Sequence, residues 1–294
     1  MLPQTPRNTR LAVVSLVVLA AILMIVWVPF IGFGMSNPIV QGQQARIEKF
    51  KAEGTPEMAV QAALLELTVW LVSFFYPFWS VFSLAAGIAL LVIAKDLYNG
   101  EKWARGLALL CLAIPSMGGA YMIVPWMNFV GSVQGGYPPA VTIMSIGLIP
   151  YFALLLLEKG DWMQKIVDFL VFLMLGVTSA ESFANGHAAF RILYGHPKRP
   201  LFAEGISVTY VGWLGLWISM ALTIAAIYLL GNRKPSGWYY GLIGAWMAVI
   251  AGGATHYVRH ATNDYLYNVL MGVSLVVMLL IPVFKQRLLK EYSG

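Results

Sequence analysis

The sequence predicts an all-α polytopic membrane protein, a bundle of about eight transmembrane helices with both termini cytoplasmic and a long, kinked second helix with an outer extension. Three observations carry this. The chain of 294 residues is 59% hydrophobic and only 11% charged, whereas soluble domains carry about a quarter charged residues. Its mean hydropathy is +0.73. Its apolar runs are long and continuous, and a spanning helix needs about 20 such residues; a β-barrel would instead show short alternating segments.

The expected spans lie near 11–33, 70–97, 103–126, 140–157, 166–187, 208–230, 238–257 and 265–284, all in one transmembrane domain. The first follows a short basic start, Arg7 and Arg10. Its apolar run exceeds a signal-peptide core, and no small-x-small cleavage site follows, so it reads as an uncleaved anchor. Thr55-Pro56-Glu57 is a helix start: a capping hydroxyl, proline in the first turn, then an acid at the positive end of the dipole. From there to Leu97 a single helix would be about 63 Å long, twice the hydrocarbon core. The expectation is therefore a protruding segment near 56–70, a kink near Pro77 and the span after it. The polar stretches 34–58 and 188–207 read as outer loops, within which Gln41 to Glu53 reads as a short surface helix or an ordered loop. Two short inner turns share a pattern, Trp103-x-x-Gly106-Leu107 and Trp238-x-x-Gly241-Leu242, which suggests two related halves.

Orientation follows from the basic residues. With the N-terminus inside, twelve of the 19 Lys and Arg residues fall on inner segments and seven on the longer outer ones, as the positive-inside rule requires for an inner cell membrane. The net charge of +6 is thus explained by insertion. No run of five like charges exists, which argues against nucleic acid as a partner. The single cysteine, Cys111, excludes an intrachain disulfide and a Cys-x-x-Cys redox site.

Polar groups in a bilayer need a partner or a cavity. Thr178, Glu181, Ser182 and Asn185 share one face of the fifth span. His187 lies on another stripe, with Phe183, Phe190, Arg191 and Tyr194. The seventh span ends in His256-Tyr257-Val258-Arg259-His260, followed by Asp264. His256 and His260 are four apart, so both rings face one way if the helix continues, the spacing of a metal pair. His187 lies at similar depth and offers a third ligand. His187, His256 and His260 are therefore the candidate metal ligands, for a transition metal or, with two facing rings, a haem. Glu181, Asn185, Arg191, Arg259 and Asp264 are the candidate ligand-binding residues. Arg191 and Arg259 are expected to pair with Glu181 or Asp264, or to clamp an anionic headgroup. Asp168 is expected to snorkel or to pair with Lys165, and His196 to lie in a loop.

Gly186-His187-Ala188-Ala189 together with Gly212-Trp213-Leu214-Gly215 resembles about 30 residues of the copper-resistance D family of multi-helix membrane proteins. That resemblance implies periplasmic metal handling. Ile206 and Ser207 stand where the family would carry a histidine before the tryptophan.

Three functions follow as expectations. The first is a binding or transport protein with an outward-facing polar site on spans five, seven and eight. The second is an accessory subunit of a larger membrane complex of respiratory or photosynthetic type, with other membrane subunits and the lipid bilayer as partners. The third is a metal- or haem-binding protein or metal-dependent enzyme. No phosphate loop, His-Glu-x-x-His or Gly-x-Ser-x-Gly motif is present, so catalysis is the less expected outcome.

Overall fold

The computed structural model describes residues 5–195, 206–260 and 262–290. Among these, all regular structure is helical. The helices are α1 (Arg7–Glu53), α2 (Pro56–Asn99), α3 (Lys102–Trp126), α4 (Ala140–Leu156), α5 (Trp162–Gly195), α6 (Val208–Gly231), α7 (Pro235–Val258), α8 (Asp264–Leu280) and α9 (Pro282–Leu289). Six are long and apolar enough to cross a bilayer, and a seventh is counted if α8 and α9 form one bent span; α4 is a shorter apolar helix.

α1 and α2 pack along each other as an antiparallel hairpin. At 47 and 44 residues they are about 70 and 66 Å long, so about half of each extends past a hydrocarbon core of about 30 Å. This corrects the expected loop over 34–58, which is helical up to Glu53. Met35, Ile39, Gln43 and Ile47 recur every four residues and are buried, and Ile47 meets Ala62 and Leu65 of α2. The polar residues between them form the outer face of a two-helix tip. Gly54, at φ +68°, takes the left-handed conformation that ends α1, and Thr55 accepts the Met58 N–H at 3.3 Å to cap α2. α2 then runs unbroken through Pro77.

The last expected span is also corrected. α8 stops at Leu280, and α9 leaves it at 76°. Pro282 has no N–H to continue the ladder, and the residue before a proline is driven extended; Ile281 has φ −67° and ψ 119°. The expected outer loop 188–207 begins as helix, since α5 continues to Gly195. Residues 196–205, with His196, fall outside the described residues.

α5 is the hub, in contact with α2, α3, α4, α6, α7, α8 and α9. Two buried ion pairs fasten it and its neighbours at the end of the bundle that carries the N-terminus, here called proximal. Arg105 reaches Glu158 at 2.8 and 2.9 Å and the Gly231 carbonyl at 2.5 Å. Arg233 meets Asp168 with two hydrogen bonds, at 2.6 and 2.7 Å, and Gln164 donates to the same carboxylate at 3.0 Å. Asp168 is thus held by Arg233 rather than by Lys165. The two turns with the shared Trp-x-x-Gly pattern do different work. Gly106 lies under the Asn232 side chain, which a Cβ there would strike and which accepts the Gly106 N–H at 3.2 Å, while Trp238 donates to the Leu279 carbonyl at 2.8 Å.

Candidate functional site

At the opposite, distal end, α5, the end of α7 and the start of α8 converge. α7 ends at Val258, and Arg259 turns out of the helix at φ −141°, ψ 83°. His260 is therefore off the helix and exposed, and the expected i, i+4 histidine face does not form. His256 stays on the last turn, with an enclosed Nδ1 that has no partner.

His187 is engaged elsewhere. It is 7% exposed, and its Nδ1 lies 2.6 Å from the Tyr121 hydroxyl of α3. Phe75, Tyr121 and Phe183 surround the ring, with centroids 5.3, 5.6 and 6.5 Å away. The stripe that carries His187 is thus the aromatic face of α5. Among the described residues, no group of three or more His, Cys, Asp or Glu side chains is placed to hold a metal ion.

Asn185 and Asp264 belong to a polar seam. Asn185 Nδ2 donates to the Asp264 carbonyl at 2.9 Å and to Asn268 Oδ1 at 2.5 Å. Asn268 donates to Ser182 at 3.2 Å. Ser182 and Ser219 are 3.2 Å apart, and Ser179 and Thr223 are 2.7 Å apart. Each pair is buried, so the seam ties α5 to α6 and α8 through the apolar layer with few orphaned polar atoms. The Asp264 side chain itself is at the surface, where it accepts from Thr262 at 2.9 Å.

Arg191 and Arg259 remain. Arg191 Nη1 lies 3.4 Å from Thr68 Oγ1 of α2, while its Nε is enclosed without a partner among the described residues. Arg259 and the Tyr265 hydroxyl are its electrostatic neighbours. Tyr265 is 1% exposed, packed with Ala189, Leu216 and Ala251, and its hydroxyl has no hydrogen-bond partner among the described residues. Neither arginine makes an ion pair with a carboxylate among the described residues. The expected pairing with Glu181 or Asp264 is not made.

Glu181 faces another way. It is half-buried and lines a cavity of about 310 Å³ between α3, α4 and α5. It stands ten residues before Arg191, about 15 Å along the helix.

No protein-family model, no curated protein and no solved structure matches the chain. The residues behind the copper-resistance resemblance have packing work to do. At Gly186 a Cβ would collide with Trp217 of α6. Gly212, Trp213, Leu214 and Gly215 form a π-helical turn, and a Cβ on Gly215 would stand 2.8 Å from that of Ala251 on α7. Sequence reasoning missed Tyr121 and Tyr265. Tyr121 is a lone tyrosine inside an apolar run, and only the tertiary arrangement brings it to His187; Tyr265, between Asp264 and Tyr267 at the start of α8, reads in sequence as an interface aromatic.

Proposed function

We propose that this multi-pass membrane protein is a binding or transport protein that takes an anionic group, a phosphate or carboxylate, at its distal, outward-facing end in the cell membrane. Arg191 and Arg259 form the clamp and the Tyr265 hydroxyl donates the third hydrogen bond. The observation that carries this reading is an arginine pair that meets no carboxylate among the described residues, beside a buried hydroxyl with no hydrogen-bond partner among them. Guanidinium stays protonated at any physiological pH, so two neighbouring ones repel until an anion lies between them, and their fork geometry suits a bidentate oxyanion. An orphaned buried hydroxyl costs about 1–3 kcal/mol, which a ligand oxygen would recover.

The test is binding by the full chain in nanodiscs. Inorganic phosphate is titrated in neutral phosphatidylcholine, and separately the phosphatidylglycerol content is raised. Saturable phosphate binding that Arg191→Gln and Arg259→Gln each weaken at least about ten-fold identifies a free solute. Enrichment of phosphatidylglycerol alone, lost in the same variants, identifies a lipid headgroup. No response to either anion, or one indifferent to both variants, overturns the reading.

A second reading, a subunit of a larger membrane complex, is favoured by the paired tip of α1 and α2. That tip extends far beyond what spanning requires and presents Arg46, Lys49, Lys51 and Glu57 to solvent. Purification in mild detergent tests it: a partner that co-migrates with the native chain, and is lost when the tip is shortened by whole turns in both helices, supports it.

A further inference from the structure

We propose that the cavity between α3, α4 and α5 binds a compact apolar amine, whose cationic nitrogen pairs with the Glu181 carboxylate. This site is distinct from the arginine clamp and does not rest on it.

The walls of the cavity are apolar side chains, with three polar exceptions: Ser116, Tyr151 and Glu181. Two of these are already committed. Ser116 donates to the Leu112 carbonyl at 2.9 Å, and Tyr151 to the Phe172 carbonyl at 3.3 Å. Glu181 makes no hydrogen bond or ion pair among the described residues, although it stands in an apolar wall of a spanning helix. A lone carboxylate in such surroundings is costly, and ionisable groups kept there mark ligand or ion sites. Among the described residues, the charged group that acts on it is another acid, Asp264, so a positive charge is what the position lacks.

The shape argues the same way. A volume of about 310 Å³ is within the range of small-molecule sites, about 300–1,000 Å³. Gly176 lines this wall, yet a Cβ built there meets nothing within 4 Å. Close helix packing does not demand this glycine. The room it leaves belongs to the cavity. An occupant must then bring a rigid hydrocarbon body for the walls and one cationic donor for Glu181.

The experiment uses the full chain in phosphatidylcholine nanodiscs, with empty discs as the control for partitioning. Two probes of nearly the same shape are titrated, 1-aminoadamantane and 1-adamantanol. The amine is expected to bind at least about ten-fold more tightly than the alcohol, as a charge-assisted hydrogen bond requires. Glu181→Gln is expected to erase that preference while leaving alcohol binding in place. Gly176→Leu, which fills the cavity from open space, is expected to abolish binding of both probes with an unchanged melting temperature. Equal binding of amine and alcohol by the native chain overturns the proposal. So does a preference that survives Glu181→Gln, or amine binding that survives Gly176→Leu.

Discussion

The Tyr121 hydroxyl and Nδ1 of His187 share a 2.6 Å hydrogen bond inside an aromatic cluster that joins α3 to α5. Both side chains are buried. The contact gives Nδ1, one of the two ring nitrogens, a partner within the fold.

That bond makes a measurable prediction. Tyr121→Phe keeps the ring and leaves Nδ1 without its hydrogen-bond partner, which should cost about 1–3 kcal/mol and lower the melting temperature in detergent. The double variant Tyr121→Phe/His187→Phe removes both polar atoms and should recover part of the loss. If the double variant is as unstable as the two single changes added together, the hydrogen bond is not what holds the pair.

The proximal ion pairs should behave as fasteners. Arg105 is 4% and Glu158 1% exposed, and Asp168 is 1% exposed. Breaking a buried pair by removing one charge costs about 3–5 kcal/mol. Glu158→Gln and Asp168→Asn should each destabilise the bundle on that scale, measured by denaturation in mixed micelles. Lys165→Gln should have little effect, since Asp168 takes its partners from Arg233 and Gln164.

Asp161 predicts a pH effect at the same end. Its carboxylate accepts the Gln164 N–H at 2.8 Å, capping α5, and it also pairs with Arg287 of α9. The capping N–H first, and Arg287 second, hold its carboxyl below the usual aspartate range. The folded pKa is therefore depressed. The stabilisation is present above the unfolded value of about 3.9 and is lost as pH falls through the lower, folded value. The group is exposed, so the effect is small. Melting temperature followed from pH 6 downward should fall less for Asp161→Asn than for the native chain; identical acid limbs would remove Asp161 from the account.

The bundle was legible in the sequence because apolar length is a local property: the structure is helical, with six to seven helices long and apolar enough to cross a bilayer where eight spans were expected. What failed was local reasoning about polarity. The residues from Gln41 to Glu53 are polar because two helices pair outside the apolar layer and need only one residue in four for their seam, which reads as loop composition. The histidine cluster failed for a related reason. The spacing of His256 and His260 implies one face only while the helix lasts, and α7 ends between them at Val258. The stripe of His187 with Phe183 and Phe190 was visible as a pattern, but its partner Tyr121 lies 66 residues away. The arginine pair was visible as two charges at one end; that no carboxylate among the described residues meets them is a fact of tertiary structure alone.

The membrane orientation decides which compartment the arginine pair samples, and single cysteines can read it. Cys111 is 4% exposed, so an introduced thiol supplies nearly all of the reactive signal. Glu57, at the α1–α2 tip, and Lys234, in the α6–α7 turn, are both exposed and lie at opposite ends of the bundle. The excess of Lys and Arg on the segments that share an end with Lys234 predicts that this end is cytoplasmic. Glu57→Cys should therefore react with a membrane-impermeant maleimide on intact cells, and Lys234→Cys only after permeabilisation. The clamp of Arg191, Arg259 and Tyr265 lies at the Glu57 end, so this result would present it to ligands outside the cell. The opposite labelling pattern would turn the same clamp toward the cytoplasm, where the anionic leaflet and phosphorylated metabolites become its candidate ligands.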